Sequence, residues 1–566
     1  MAHGRETTLR VTRDLAVSKN VMVAAKHPWA VQAGLDILAS GGNAVDAAAA
    51  TAFAVGVVEP WMSGIGGVGF MTIQKSSGER VVIDYFGRAP QAARADMFEM
   101  TDDARTVVGF GGVRDRANEY GPLSVLVPGM VAGMALALEQ HGTKEIGEVI
   151  QAAIRCADEG FEVNWYNGML LASQQAVIRR DPETTKVYLG SGGPPAPLFG
   201  QPLPRIRQPE LANTLRRIAS HGRDGFYRGE TAECIADHLQ SVGGIMTTDD
   251  LARFEPTVVE PLVIEYQGHE LVLLPFQGGG ITLAESFNIL DGLNIRGTGL
   301  NTATTLHHIA EASRRSFADR FKYVGDPDWV DIDWDRLASK EYGDERRAEI
   351  EANRASSPQP GQGIAGRAGI TREMAVTADG GCTTHLSVVD AEGNMVSVTQ
   401  TLTLIFGSAV TIPGAGVLMN DSMALFEPAP GRANSIGPWK RPASNMAHII
   451  AVKDGTPVLA VGAPGGRRII DTCMQMALDV IDFDLDIQSA CQAPLVDCSG
   501  PELLVDTQVS QATRDRLRAM GHTVVDAEPA FAPRAFASPT GVQVDPETGV
   551  RYGGADPFGI GIAAGM

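Results

Sequence analysis

Runs of small apolar residues dominate the first part of the chain and predict buried helices. Two such runs, Val31 to Ala39 and Ala44 to Val57, are separated by Gly41-Gly42-Asn43, which is typical of a helix break. The longest apolar stretch, Ala47 to Val58, is much shorter than the roughly 20 residues that a bilayer requires. The pattern therefore predicts an interior helix pair and no membrane span.

Strand patterns follow this helix pair and recur later in the chain. Phe70 to Gln74 and Val81 to Tyr85 are rich in β-branched and aromatic residues and flank a turn, so they predict two paired strands. Residues 130–160 and 207–243 have helical patterns. A second hairpin is predicted from Thr383 to Leu402, because two β-rich runs flank the turn sequence Ala391-Glu392-Gly393-Asn394.

A strand, a glycine turn and a helix are predicted in succession near residue 460. Val458 to Val461 reads as a strand, Gly462-Ala463-Pro464-Gly465-Gly466 as a turn, and Arg468 to Ile481 as a helix. Free backbone N–H groups and the positive end of the helix dipole favour negative charge at such a junction.

A polar stretch without periodicity divides the chain. Residues from Ala355 to about 380 are rich in Gly, Ser and Pro at their start, and they separate a helix-rich first part from a second part that begins with strands. We therefore expect a flexible linker there.

Composition and charge narrow the function classes. The chain has 566 residues, of which 44% are hydrophobic, and a formal charge of −20, which disfavours nucleic acids and anionic membranes as partners. The charged N-terminus has no apolar signal-peptide core, so a cytoplasmic location is expected. No phosphate-loop, zinc-protease, serine-hydrolase or EF-hand motif is present, and we predict neither a cofactor nor a metal.

The second hairpin has features that a plain strand does not need. Thr383 stands at the start of a strand behind the linker, and Thr399, Thr401 and Thr403 alternate on the next strand. If the chain were cut between Cys382 and Thr383, the new α-amine could act as the base for the Thr383 hydroxyl. On the residues alone, Thr383 and Thr384 as ordinary β-forming residues remain the alternative.

Motifs along nearly the whole chain resemble those of the γ-glutamyltransferase family of N-terminal nucleophile hydrolases. The motif Thr383-Thr384-His385-Leu386-Ser387-Val388-Val389-Asp390 looks like the family's new N-terminus after self-cleavage. The other matching segments are Gly41 to Ala47, Glu59-Pro60, Gly64 to Gly69, Val127-Pro128-Gly129, Gly243 to Leu251, Phe317 to Arg320, Lys440-Arg441-Pro442 with Ser444 and Met446, and Gly554 to Pro557.

The resemblance implies an α+β fold, a four-layer αββα sandwich made from one autoprocessed precursor. Cleavage between Cys382 and Thr383 would give a large subunit, 1–382, and a small subunit, 383–566, and it leaves open a homo-oligomer of that heterodimer. Thr383 would be the nucleophile and Thr401 its hydrogen-bonding partner. Gly465 and Gly466 would form the oxyanion hole.

Several positions that bind the substrate in typical family members carry different residues in this chain. Phe86 occupies the position of the arginine that binds the substrate carboxylate in typical members. Arg88 follows two residues later, and on an extended strand it would lie on the same face as Phe86. The acidic residue that holds the substrate α-amine falls at Leu425. Ser444 matches the first of the family's paired serines, whereas Asn445 replaces the second and Thr403 replaces an asparagine.

The retained catalytic set and the altered binding set predict an autoprocessing amidohydrolase or acyltransferase. Its small-molecule substrate would be an amide whose acyl end is less zwitterionic than glutamate, as in the family's cephalosporin-acylase-like branch. Burial of an ammonium without a partner carboxylate is costly, which favours this hypothesis. The alternatives are a classical γ-glutamyltransferase that hydrolyses glutathione, with Arg88 binding the carboxylate, and an unprocessed, non-catalytic binding or scaffold protein.

Overall fold

Two seven-stranded antiparallel sheets form the centre of the molecule. The computed structural model describes residues 11–101, 110–364, 382–529 and 535–566. In chain order, the strands of the two sheets are β1 (Ala16–Ser18), β2 (Met22–Ala25), β3 (Val68–Gln74), β4 (Arg80–Asp84), β5 (Thr257–Val259), β6 (Leu262–Tyr266), β7 (His269–Leu273), β8 (Cys382–Val389), β9 (Met395–Thr403), β10 (Ile449–Lys453), β11 (Thr456–Gly462), β12 (Thr540–Val544), β13 (Arg551–Ala555) and β14 (Ile562–Gly565).

The strand orders place the predicted hairpin in the interior of one sheet. Sheet A has the order β1-β13-β12-β11-β10-β7-β6, and sheet B has the order β14-β2-β8-β9-β3-β4-β5. The remaining strands are short and lie outside both sheets: Met100–Thr101, Gly112–Val113, Phe161–Glu162, Arg205–Ile206, Thr411–Ile412, Val417–Leu418, Val496–Asp497, Leu503–Asp506 and Val524–Ala527.

The described residues also form α-helices, some of which cover the outer faces of the two sheets. They are α1 (Pro28–Ala39), α2 (Ala44–Val58), α3 (Met130–His141), α4 (Ile146–Val149), α5 (Gln151–Glu159), α6 (Trp165–Ser173), α7 (Gln175–Ile178), α8 (Pro182–Tyr188), α9 (Pro209–His221), α10 (Asp224–Tyr227), α11 (Gly229–Ser241), α12 (Thr248–Arg253), α13 (Gly280–Asp291), α14 (Ile295–Thr298), α15 (Ala303–Tyr323), α16 (Trp334–Leu337), α17 (Lys340–Arg347), α18 (Arg468–Ile481), α19 (Ile487–Gln492) and α20 (Gln511–Ala519). Within the described ranges, none of them is both long and apolar enough to cross a bilayer.

Three apolar clusters define four layers. One cluster joins the outer face of sheet B to α1, α2, α3, α5, α9 and α11, and another joins the outer face of sheet A to α13, α15 and α18. A third cluster lies between the sheets, where Met22 and Val389 of sheet B meet Ile450 and Val542 of sheet A. Because side chains alternate along a strand, Val388 faces the helices while Val389 faces the opposite sheet. The predicted αββα sandwich is confirmed.

Local signals in the sequence correspond to the elements that form. Asn43 caps α2: its side chain accepts from the amides of Val45 and Asp46, and the Asp46 carboxylate accepts from the Asn43 amide. The predicted strands near residues 70 and 81 form β3 and β4, and the hairpin forms β8 and β9. Of the predicted linker, residues 355–364 lie outside helices and strands, and 365–381 fall outside the described residues.

A chain of polar side chains crosses the interior between the sheets. The His448 ring hydrogen-bonds Thr72 Oγ1 at 2.7 Å and Thr399 Oγ1 at 2.9 Å. Thr399 in turn contacts the ring of His385, which reaches Ser387 Oγ at 2.9 Å. Burial lowers the pKa of His448 to about 3. Burial, followed by the nearby His448 and Lys26, also lowers the pKa of His385 well below its usual value, so both imidazoles are neutral in the folded protein at neutral pH.

This network predicts a specific loss of stability in acid. Below about pH 6.5 the unfolded chain protonates His448 and the folded chain does not, so the free energy of unfolding falls by about 1.4 kcal/mol per pH unit for this group. His448→Gln removes that contribution. The stability difference between the two proteins should therefore shrink by about 2 kcal/mol from pH 6.5 to pH 5. Denaturant unfolding in a Thr383→Ala background, which is expected to remain one polypeptide, measures it; a constant difference contradicts a neutral buried His448.

Candidate active site

Thr383 lies at a register shift between β8 and β9. Cys382 pairs with Thr403, but Thr384 pairs with Gln400, so two residues of β9 oppose the single residue Thr383. Such a bulge re-aims the side chains next to it. Thr383 is 4% exposed, and its hydroxyl points back along the chain toward the carbonyl of Cys382.

Two threonine hydroxyls meet at the carbonyl of the peptide bond that precedes Thr383. The Oγ1 atoms of Thr383 and Thr401 lie 3.2 Å apart, and each contacts the carbonyl oxygen of Cys382. Thr401 Oγ1 also accepts the amide N–H of Thr403 at 2.8 Å, which directs its own proton toward the Cys382 carbonyl. A hydrogen bond there withdraws electrons from the carbonyl carbon and makes it a better electrophile. The predicted pair of Thr383 and Thr401 is thus brought together.

The residue before Thr383 is held on its other side. Cys382 donates its thiol proton to the carbonyl of Trp61 at 2.7 Å, and its sulfur lies 3.2 Å from Met62 Sδ. Burial, followed by the nearby Glu59 and Asp421 carboxylates, raises the pKa of this thiol well above its usual value. Cys382 is therefore a neutral thiol that fixes the orientation of the peptide group.

The predicted glycine turn lies across a cavity from Thr383. Gly465 lines the same small cavity of about 60 Å³, and Gly466 follows it at the start of α18. Gly465 has φ of 155° and Gly466 has φ of 62°, and a Cβ on Gly465 would lie 2.6 Å from the Cα of Ala537. Both positions therefore favour glycine. The amide of Ser538 donates to the carbonyl of Pro464 at 2.9 Å and supports this turn.

Charged residues that the sequence did not single out surround the cavity. Its lining comprises Lys26, Glu59, Met62, Tyr166, Thr383, Pro464, Gly465, Arg468, Phe536 and Ser538. Lys26 Nζ donates to Ser538 Oγ, and Ser538 Oγ donates to the Asp556 carboxylate at 2.7 Å. The sequence could have indicated Glu59 and Asp556, because both lie in segments that match the family. No comparable feature of the sequence pointed to Lys26.

Ser444 and Asn445 are organised by a buried arginine. Arg320 donates to the carbonyl of Ser444 at 2.6 Å and to Asn445 Oδ1 at 3.1 Å. The same guanidinium reaches the carbonyl of Gly278, and burial lowers its pKa to about 10. The loop that carries Ser444 is thereby tied to the glycine turn before α13. The positioning role of Arg320 was not predicted, although it lies in a segment that matches the family.

Phe86 and Leu425 belong to an apolar cluster. The Phe86 ring stacks on Phe70 with centroids 5.3 Å apart, and Leu425 packs against the same cluster, which includes Met423 and Met446. Thr403 has φ of 93°, a strained value for a β-branched residue, and its hydroxyl pairs with Ser422 Oγ at 2.6 Å. None of Phe86, Arg88, Leu425, Thr403, Ser444 or Asn445 lines the cavity in front of Thr383.

The expectation that Arg88 continues a strand on the face of Phe86 is wrong. β4 ends at Asp84, whose carboxylate accepts the amide of Phe86 at 2.8 Å and turns the chain out of the sheet. Arg88 instead bridges to Val127, donates to the carbonyl of Trp439 at 3.0 Å and lies 3.8 Å from the Asp328 carboxylate.

Comparisons with known proteins agree with this geometry. The family model described as gamma-glutamyltranspeptidase matches residues 30–566. The Acylase ACY 1 proenzyme of Pseudomonas sp. (strain SE83) is 36% identical over 96% of this chain and 94% of its own length. The Glutathione hydrolase proenzyme of Escherichia coli (strain K12) is 35% identical over 96% of this chain and 91% of its own length.

Solved structures give the same assignment. The cephalosporin acylase from Bacillus halodurans superposes with a TM-score of 0.85 at 29% identity, covering 100% of this chain and 99% of that one. The Helicobacter pylori gamma-glutamyltranspeptidase superposes with a TM-score of 0.56 at 31% identity, covering 63% of this chain and 98% of that one. With the fold and the paired threonines, these matches establish that the chain belongs to the γ-glutamyltranspeptidase family of N-terminal nucleophile hydrolases and transferases.

Proposed function

We propose that this chain cleaves itself between Cys382 and Thr383 and then uses Thr383 to transfer an acyl group from an amide. The observation that carries the proposal is the convergence of the Thr383 and Thr401 hydroxyls on the Cys382 carbonyl. The relatives named acylase and glutathione hydrolase are proenzymes, which supports a precursor that yields two subunits, 1–382 and 383–566.

In the first reaction the Thr383 hydroxyl is the nucleophile for its own peptide bond. Its oxygen bonds to the carbonyl carbon of Cys382, its proton passes to the Thr383 nitrogen, and the C–N bond breaks to leave an ester. Water then cleaves the ester, which releases the Cys382 carboxylate and restores the hydroxyl beside a free α-amine. Thr401 supports both steps by hydrogen-bonding the carbonyl oxygen as negative charge develops on it.

In the second reaction the new α-amine serves as the base for the Thr383 hydroxyl. The hydroxyl attacks the substrate amide, the leaving amine takes the proton, and an acyl-enzyme forms on Thr383. The backbone amides of Gly465 and Gly466 would stabilise the oxyanion, a contribution of roughly 3–4 kcal/mol per donor. Water or an amine then removes the acyl group.

The substrate we propose has an acyl end without an α-ammonium group. In typical family members an acidic residue receives that ammonium, but Leu425 stands there within an apolar cluster that also contains Phe86. A buried ammonium without a carboxylate partner costs several kcal/mol. Relatives named acylase, at 36% identity, support this substrate class. The family resemblance assigns Ser444, held by Arg320, to the acyl end, although Ser444 does not line the cavity that contains Thr383.

A classical γ-glutamyltransferase is the second candidate, and one observation favours it. The Arg88 side chain is 16% exposed, its ion pair with Asp328 is as long as 3.8 Å, and it follows Phe86, the position of the missing arginine, by two residues. Relatives named glutathione hydrolase are 35% and 37% identical, close to the 36% of the acylases. A substrate carboxylate could therefore displace Asp328 from Arg88.

Thr383→Ala should abolish self-cleavage. It removes the only nucleophile that we assign to the Cys382 carbonyl, so a denaturing gel should show a single full-length band, whereas the wild type shows two. The matched control is Thr384→Val, because the neighbouring buried hydroxyl of Thr384 has no hydrogen-bond partner among the described residues. One band from the wild type would disprove the cleavage, and two bands from Thr383→Ala would disprove the role of Thr383 as its nucleophile.

Leu425→Asp should change the substrate preference. The wild type should hydrolyse a glutaryl anilide faster than the γ-glutamyl anilide, which differs only by its α-amine. A carboxylate at position 425 should raise the γ-glutamyl to glutaryl ratio of kcat/KM by about tenfold to a hundredfold, the value of a charged hydrogen bond. Leu425→Asn, which is neutral and of similar size, is the control. A wild-type preference for the γ-glutamyl anilide would favour the classical transferase.

A further inference from the structure

Both carboxylate oxygens of Glu59 are buried without a hydrogen-bond partner. Glu59 follows the end of α2, is 1% exposed, and neither Oε1 nor Oε2 has a partner among the described residues. Buried polar atoms are almost always satisfied, and an unsatisfied carboxyl costs several kcal/mol. Such a group in the interior calls for a hydrogen-bond donor that the described residues do not supply in the uncleaved chain.

Cleavage before Thr383 would create such a donor close to Glu59. Glu59 and Thr383 line the same cavity, and the Glu59 charge acts on the Cys382 thiol, so the carboxyl lies near both residues that flank the bond to be cleaved. Cys382 is fixed by the carbonyl of Trp61, two residues after Glu59. When the C–N bond breaks, the peptide nitrogen becomes an amine that carries up to three N–H donors in place of one.

We propose that Glu59 is a positioning residue: its carboxylate accepts a hydrogen bond from the α-amine of processed Thr383 and thereby stabilises the proton on that amine. This inference rests on the proposed self-cleavage. The carboxylate would orient the nitrogen lone pair toward the Thr383 hydroxyl and favour the protonated amine. The interaction would exist only in the mature protein, which explains why neither oxygen has a hydrogen-bond partner among the described residues of the uncleaved chain.

Other charged and titratable groups around the cavity affect the protonation of Glu59 and of the Thr383 amine. Lys26 lies close to Glu59 and donates to Ser538, Arg468 lines the cavity from α18, Tyr166 lines it from α6, and the Asp421 carboxyl acts on Cys382. Burial raises the pKa of Glu59 to about 8 in the uncleaved chain, and Lys26 partly opposes this. A second cation, the Thr383 ammonium, would favour the ionised carboxylate further, so the pair would share one proton.

The pH dependence of turnover tests this role with Glu59→Gln. The acidic limb of the kcat/KM profile reports the essential base of the free enzyme, here the α-amine. Loss of an adjacent carboxylate lowers the pKa of an amine, so the acidic limb should move to lower pH by about one unit. Asp479→Asn is the matched control: it removes another buried carboxyl, on α18, whose pKa burial raises to about 8. Its limb should stay in place.

The outcomes separate this inference from the proposed function. An uncleaved wild type would refute the proposed function itself. A cleaved wild type with an unshifted Glu59→Gln limb would refute the role of Glu59 alone. An uncleaved Glu59→Gln beside a cleaved wild type would also refute it, because the role begins only after the amine exists. If Glu59→Gln gives too little protein, Glu59→Met removes the same carboxyl at similar length.

Discussion

The pairing of β8 with β9 inside sheet B is the constraint on which the candidate site depends. Both strands are buried along their whole length, and each has a neighbour on its other edge, β2 for β8 and β3 for β9. A one-residue slip would reverse every side chain on these strands, so the register is strongly fixed. The single shift at Thr383 is therefore held in place by the whole sandwich, and it brings two hydroxyls to one carbonyl.

The second half of the site comes from sheet A. β11 leads into the Pro464–Gly466 turn, and the Ala537–Ser538 segment before β12 supports that turn by a backbone hydrogen bond and by close contact with Gly465. A Cβ on Gly462 would lie 2.3 Å from the His385 ring of β8, so the two sheets approach closely there. The proposed nucleophile therefore lies on sheet B, the proposed oxyanion donors lie in a turn that follows a strand of sheet A, and the packing of the two sheets sets the distance between them.

Local patterns in the sequence predicted the strands and helices, but they did not predict which residues of distant segments come into contact. Alternation and turn residues predicted the β8–β9 hairpin and the β11, glycine turn and α18 succession, because those signals are contained within short segments. The bulge at Thr383 depends on pairing across the hairpin. Lys26, Glu59 and Ser538 come from distant segments, so no local spacing could join them. The strand expected to continue through Arg88 does not form, because the Asp84 carboxylate accepts a hydrogen bond from the Phe86 amide.

In the proposed mechanism, the mature protein carries the acyl group of its substrate on the hydroxyl of an N-terminal Thr383. Intact-mass analysis of protein quenched in acid during turnover of a glutaryl anilide tests it most directly. One glutaryl adduct is expected on the fragment that begins at Thr383, mapped by peptide sequencing to that residue. An adduct on another residue, or a fragment that begins elsewhere, would contradict it.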